Sequence, residues 1–263
     1  MNVEKIIKAQ SREAMNGKWI SLVAGFLLLS AMICLVVTGV DLAVSVFGIR
    51  NENGMLKPNT ENIFTVIVCT GVLVFMLLTP AKNGFLKICY NIASGKEGEL
   101  KDVFYFFKRN KFLSALQFNL LLTVRFIVNI LIGLIPFFIL WAVTYFFSVQ
   151  LLTTVTANEI AYYIQLVFFI TGIVFGIIRS AKLYIADFLF IENDGETENT
   201  ISASKAILKK HGKDAFRLFI SFIPWIALCF FVLPAIYVIP YMSTSFATSS
   251  KWLIRLYKDG KIV

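Results

Sequence analysis

The chain has 263 residues, of which 58% are apolar and only 16% are charged, and its mean hydropathy is +0.76. Soluble domains are usually about 45–50% apolar and about 25% charged, so this composition is typical of a protein that lies in lipid. It excludes disordered, collagen-like, coiled-coil and disulfide-rich secreted proteins, and the formal charge of +9 is better explained by membrane topology than by nucleic-acid binding.

Apolar segments in chain order predict six membrane-spanning helices. A helix needs about 20 apolar residues to cross the hydrocarbon core of a bilayer. The predicted spans are 19–40, 62–79, 115–143, 160–178, 215–233 and 241–255. The last predicted span, 241–255, is rich in Ser and Thr. The expected fold class is all-α: a single polytopic membrane domain over residues 1–263, built as three helical hairpins.

The third span lies in an apolar region from Phe112 to Thr156 that contains Arg125 and Pro136. One straight helix of that length would exceed the bilayer thickness, so we expect a span that is tilted, or kinked at Pro136, with an outer extension.

Basic residues set the orientation of the chain, because Lys and Arg concentrate on the cytoplasmic side of membrane proteins. With six spans, 22 basic residues lie inside and two, Arg50 and Lys57, lie outside, with Arg125 in the membrane. With five spans the division falls to 18 against 6. The sequence therefore predicts a multi-pass plasma-membrane protein with both termini in the cytoplasm.

Short amphipathic segments precede the spans that run outward, and we expect them to lie along the inner leaflet. They are residues 3–16, 99–110 and about 200–211. In the middle segment an apolar stripe recurs at i, i+3, i+4 and i+7, as expected for an α-helix. The stripe consists of Leu100, Val103, Phe104 and Phe107.

Basic residues next to these segments are candidates for contacts with lipid headgroups. The candidates are Lys108, Arg109, Lys111, Lys209 and Lys210. Their position at the foot of a predicted span favours anionic phospholipid as the partner over nucleic acid. The expected partners are thus the bilayer and its anionic lipid.

Polar and small residues within the spans suggest two further sites. Arg125 and Asn129 lie one helical turn apart and form a candidate intramembrane polar site, although Arg125 could instead extend to the inner interface. Gly172, Gly176 and Ser180 form a small-residue groove for helix packing. The groove could pack within the same chain or drive dimerisation, and the membrane-protein partner or homo-oligomer is a separate expectation.

The residues needed for common catalytic sites are missing. His211 is the only histidine, so an HExxH zinc pair is impossible, and no phosphate-binding GxxxxGK[ST] loop occurs. We expect no cofactor and no enzymatic activity. The leading hypothesis is an accessory or scaffold protein that engages anionic lipid or a membrane complex.

Two other classes of function remain open. One is a transporter, channel or lipid-moving protein with a path lined by Arg125 and Asn129. The other, less favoured, is a lipid enzyme with a cleft lined by acidic residues such as Asp187 or Asp194.

Several short motifs resemble a bacterial family of integral-membrane proteins, the domain of unknown function 975. They are Ala14–Trp19, Ala203–Lys205, His211–Gly212, Phe216, Leu218, Ser221–Phe222, Trp225 and Pro240–Tyr241. The chain departs from the family pattern at Phe175 and Pro224. The resemblance implies a multi-spanning membrane protein of unassigned activity, with a distant likeness to the membrane portions of glycerophosphodiester phosphodiesterases.

Overall fold

The computed structural model describes residues 3–46, 60–148, 155–180 and 183–259. All regular secondary structure in these residues is helical, which confirms the all-α class. The helices are α1 (Val3–Met15), α2 (Trp19–Val46), α3 (Thr60–Ala93), a 3₁₀ helix (Leu100–Phe107), α4 (Arg109–Ser148), α5 (Val155–Ser180), α6 (Tyr184–Glu192), α7 (Glu198–Ile220), α8 (Ile223–Leu228) and α9 (Val232–Lys258).

Among the described residues, four helical segments are long and apolar enough to cross a membrane. They are Trp19–Ser45, Val68–Ala93, Arg109–Phe146 and Glu159–Glu192. Many of their large apolar side chains are exposed, which in water would cost free energy and in lipid does not. The protein is therefore a membrane protein. The two further spans remain predictions, and Arg50 and Lys57 of the predicted outer loop lie outside the described residues.

Two of these helices continue through proline. α3 runs through Pro80 to Ala93, well past the predicted end of the second span at residue 79, and α4 runs through Pro136. Proline removes one backbone hydrogen bond, and membrane helices tolerate this where neighbouring groups pack around the gap. Pro80 is buried and so is Thr79 beside it.

The predicted fifth span, 215–233, is not one helix. α7 ends at Ile220, α8 covers six residues, and α9 begins at Val232. Pro224, near the start of α8, lacks the N–H that would continue α7, so the helix stops before it. The 14 residues from 215 to 228 would span only about 21 Å at 1.5 Å per residue.

The described residues pack as two compact units. Unit 1 comprises residues 1–118 and 184–263, and unit 2 comprises residues 119–183. The buried core of unit 1 includes an aromatic stack in which the Phe118 and Phe190 rings lie 4.2 Å apart and Phe190 also stacks on Phe106. Whether the two units make up one membrane domain stays a prediction.

Helix α9 lies at the centre of unit 1, where it packs against α1, α2, α3, α6, α7 and α8. Its hydroxyl side chains, which lower its hydropathy, are largely buried. Several of them bond to the carbonyl oxygen four residues earlier: Thr244 to Pro240 and Ser245 to Tyr241, each at 2.9 Å. The predicted sixth span, 241–255, is thus part of a helix enclosed by protein.

The segment 99–110 differs from the expected α-helix in its period. The segment forms a 3₁₀ helix, in which residues three apart share a face, and it buries Val103 and Phe106. Leu100 and Phe104 are 46% and 50% exposed. Of the predicted stripe, Val103 thus packs inside the protein, whereas Leu100 and Phe104 stay exposed, and the position of the segment along the inner leaflet remains a prediction.

Gly84 allows the 3₁₀ helix to lie directly on α3. A Cβ atom at this position would meet the carbonyl oxygen of Val103 and would lie 2.6 Å from its Cα atom. Both atoms belong to the backbone, so rotation of a side chain cannot relieve the clash.

We expect Gly84→Ala to lower the free energy of unfolding by about 1–3 kcal/mol, the usual cost of overpacking. Thermal unfolding in detergent would measure the loss. Gly71→Ala on the same helix is the matched control, because nothing lies within 4 Å of its Cβ position. Equal melting temperatures for the two variants would contradict the prediction.

Candidate functional site

Charged side chains of unit 1 gather in two places, which together form the candidate site. The Asp194 cluster consists of Lys87, Tyr105, Lys108, Lys111 and Asp194. The Tyr90 cleft is lined by Tyr90, Asn91, Ser94, Lys96, Glu192, Lys251, Ile254, Arg255 and Lys258.

The Asp194 cluster joins the turn after α6 to the 3₁₀ helix and to the start of α4. Asp194 has a left-handed backbone conformation, with φ of 52°. Its carboxylate accepts hydrogen bonds from the Tyr105 hydroxyl and the Lys111 ammonium group. The Lys87 ammonium nitrogen lies 2.8 Å from the centre of the Tyr105 ring, and that of Lys108 lies 4.9 Å from it. Three cations thus surround one ring and one carboxylate.

The hydrogen bonds of the cluster change the acidity of its members. Burial alone would raise the pKa of Asp194, but the hydrogen bonds from Lys111 and Tyr105 outweigh it and hold that pKa below its ordinary value. The pKa of Tyr105 lies above its ordinary value, mainly because its hydroxyl donates to Asp194. Asp194 is therefore a carboxylate at neutral pH.

The Tyr90 cleft lies where the C-terminal ends of α3, α6 and α9 meet, and it has a volume of about 230 Å³. Glu192 is the one carboxylate among its lining residues, and both of its oxygens are occupied. Tyr90 donates to Oε2 at 2.7 Å and Lys258 donates to Oε1 at 2.8 Å. Lys251 donates to the Ala93 carbonyl oxygen at 3.1 Å, at the end of α3.

Two cations of the cleft keep their hydrogen-bonding groups available. Across residues 3–46, 60–148, 155–180 and 183–259, Lys96 Nζ and the Arg255 guanidinium group form no hydrogen bond or ion pair with another side chain or carbonyl group. The cleft therefore carries four cations against one carboxylate, and two of the cations have unused donors.

The predicted headgroup residues occupy different environments. Lys108 and Arg109 are exposed at the start of α4, whereas Lys111 is bound to Asp194. Lys209 and Lys210 are exposed on α7 and belong to neither cluster. The structure thus brings Lys108 and Lys111 together around Tyr105 and leaves Arg109, Lys209 and Lys210 outside both the Asp194 cluster and the Tyr90 cleft.

Within unit 2, the predicted polar residues lie on the face of α4 that carries Gly133. Asn129 donates to the Ser180 hydroxyl at 3.2 Å. Arg125 is half-buried, and it has no ion pair or hydrogen bond with any residue of the described ranges. A transport path along these residues stays a prediction.

The small-residue groove on α5 is filled by α4 of the same chain. A Cβ atom on Gly133 would meet the carbonyl oxygen of Gly172, and one on Gly176 would lie 2.8 Å from the Ile130 Cα atom. Backbone approaches backbone here, as small residues permit in membrane helices.

The residues of the Tyr90 cleft were missed in the sequence. One signal was present: Lys251, Arg255 and Lys258 recur at i, i+4 and i+7, which places three cations on one helix face. Tyr90 and Glu192 gave no local signal, because the fold brings them together from helices about 100 residues apart. Among the described residues, no three His, Cys, Asp or Glu side chains could hold a metal ion.

The all-helical fold and its four long apolar helices define an all-helical membrane protein. The chain belongs to the DUF975 family, described as a protein of unknown function, whose match covers residues 1–248 and confirms the resemblance noted above. Lys251, Arg255 and Lys258 lie past the end of that match. No curated protein and no solved structure matches the chain. The likeness to glycerophosphodiester phosphodiesterases is not shown.

We expect Asp194→Asn to loosen the 3₁₀ helix, because an amide cannot replace the charged acceptor of Lys111. The pair is exposed, so the loss at pH 7 is up to about 1 kcal/mol. The pKa of Asp194 is lowered by folding, so its stabilisation is present above the ordinary carboxyl pKa and disappears as the pH falls through the lowered value.

Hydrogen exchange of residues 100–107 measures this loosening, and Glu97→Gln, which removes the same charge, is the control. Faster exchange in Asp194→Asn at pH 7 is expected. Equal exchange in the two variants would show that Asp194 does not hold the 3₁₀ helix.

Proposed function

We propose that the chain is a non-enzymatic accessory or scaffold protein of the bacterial plasma membrane that engages anionic phospholipid through its inner face. The charge balance of the two clusters carries this proposal. Seven cationic side chains stand there against three carboxylates: Glu192, Asp194 and Asp102, which lies near Lys87 and accepts a hydrogen bond from Asn91 of the cleft. Such a face attracts the anionic lipid of the inner leaflet.

The position of the exposed cations supports contact with headgroups. Lys108 and Arg109 stand immediately before the apolar part of α4, one of the four helices able to cross a membrane. Long basic side chains at such a helix end extend to the headgroups while their stems stay in apolar surroundings. Each contributes roughly 1 kcal/mol of attraction to an anionic surface.

The exposed tip between α8 and α9 supports a revised topology. Phe230 and Leu233 are 92% and 82% exposed, and the helical segment before them is too short to cross a bilayer. In our proposal α8 and the start of α9 form a hairpin that enters the membrane from the inner side and returns to the same side. Four crossings and six crossings both leave the two termini in the cytoplasm, so the division of basic residues is the same.

We expect Lys108→Gln with Arg109→Gln to weaken the association of anionic phospholipid by up to about thirtyfold, because two attractions of roughly 1 kcal/mol each are lost. Quantitative lipid mass spectrometry of the purified protein measures this. Arg50→Gln with Lys57→Gln is the control, since it removes the same charge from the predicted outer loop. Unchanged anionic lipid in the first variant would refute the proposal.

For the hairpin, we expect a cysteine at Phe230 to resist a membrane-impermeant maleimide added to intact cells, in a background without the four native cysteines. The cysteine at position 230 should also stay unlabelled after the cells are made permeable. Under the same conditions Lys209→Cys, on the cytoplasmic side, should react. Asn53→Cys, in the predicted outer loop, is the positive control. Labelling of position 230 from outside would establish a full fifth crossing.

A further inference from the structure

The Tyr90 cleft has more positive charge than its helix ends require. The C-terminal end of a helix attracts cations, which accounts for Lys251 at the Ala93 carbonyl and for Lys258 at the end of its own helix. Arg255 also lies in the last turn of α9, but its guanidinium group has no hydrogen-bond acceptor among the described residues. Lys96 lies beyond the end of α3 and has none there either.

Glu192 cannot neutralise these two side chains. One carboxylate oxygen accepts from the Tyr90 hydroxyl and the other from the Lys258 ammonium group. Tyr90 is only 7% exposed, so its ring is fixed in the core and holds the carboxylate against α3. The four cations and one carboxylate leave a net charge of +3 around the cleft.

Like charges gathered around a cavity repel one another unless an anion lies between them. Arginine offers a planar pair of donors that matches two oxygens of a phosphate group, and lysine adds a point charge. The volume of about 230 Å³ is smaller than the roughly 300–1,000 Å³ of pockets for drug-sized ligands, so it suits a compact group.

We infer that the Tyr90 cleft binds a phosphate group, with Arg255 and Lys96 as its principal ligands and Lys251 and Lys258 at its edges. The inference deepens the proposed function and rests on it for the location of the cleft near the inner leaflet. The phosphate belongs either to a lipid headgroup or to a soluble phosphate compound, since both present the same oxygens to these donors.

The test uses the full chain with Lys96→Gln and Arg255→Gln combined. Two measurements separate the sources of phosphate: calorimetric titration with inorganic phosphate in detergent, and native mass spectrometry of phosphatidic acid retained from nanodiscs of phosphatidic acid and phosphatidylcholine. We expect about tenfold weaker binding in at least one of them, because charge-assisted hydrogen bonds are lost. Loss of phosphate binding identifies a soluble anion, and loss of lipid retention alone identifies a headgroup.

Lys5→Gln with Lys205→Gln is the matched control, because it removes two exposed cations of unit 1 that lie outside the cleft. Arg255→Lys keeps the charge and the fold but loses the paired donors, so an intermediate loss of binding is expected. Melting temperatures identify any variant that fails to fold. If the combined Lys96→Gln and Arg255→Gln variant does not fold, the binding measured for Arg255→Lys tests the inference instead. Binding equal to the control in both measurements would overturn the inference and leave the cations as helix-end partners only.

The proposed function can fail separately. If Lys108→Gln with Arg109→Gln reduces anionic lipid while the cleft variants bind phosphate and phosphatidic acid normally, the inference is wrong and the proposed function stands. If the cleft variants lose phosphate while Lys108→Gln with Arg109→Gln retains all of its lipid, the proposed function is wrong and the cleft is a site for a soluble anion.

Discussion

Unit 1 depends on the burial of a helix that is rich in hydroxyl groups. A buried hydroxyl group without a partner costs free energy, and most of the hydrogen-bonded ones on α9 avoid that cost within their own helix. The buried hydroxyl groups of Tyr241 and Ser250 have no partner among the described residues. Thr244, Ser245 and Thr248 use the carbonyl oxygens of the preceding turn of their own helix. Because these hydrogen bonds lie within α9, the surrounding helices need not supply acceptors for them. The same bonds would form whether the neighbours of α9 are protein or lipid.

The charged groups of unit 1 are arranged around the ends of helices. Lys251 and Lys258 bind at the ends of α3 and α6, while Lys111 and Tyr105 bind the turn that follows α6. These contacts join segments that are distant in sequence. They also concentrate cations in the two clusters, whose seven cations outnumber the nearby carboxylates of Asp102, Glu192 and Asp194.

Hydropathy was sufficient to predict the long apolar helices, because a bilayer imposes a length and a composition that can be counted. Residues 215–233 and 241–255 were harder. Average hydropathy contains no information about Pro224, which ends a helix in the first segment. It also counts the hydroxyl groups of the second segment as polar, although they bond to their own backbone. The 3₁₀ period of residues 100–107 was not predictable for another reason: its buried face depends on close contact with Gly84, which lies on a different helix.

The candidate site was only partly predictable. Lys108, Arg109 and Lys111 stand together in sequence beside a span, so a basic surface could be expected there. The Tyr90 cleft draws its residues from 90–96, from 192 and from 251–258, and no local pattern joins such distant segments. The helical spacing of Lys251, Arg255 and Lys258 was its one visible sign.

The central position of α9 has a consequence for biosynthesis. This helix is the last one described in the chain, so it leaves the ribosome after every element that packs around it. Until then, α1, α3 and α6 lack the surface that covers them, and the nascent protein must wait in an open form within the translocation machinery or the bilayer. Unit 1 is therefore completed only after α9 has been synthesised, and a ribosome that stalls before residue 232 would release a chain without its centre.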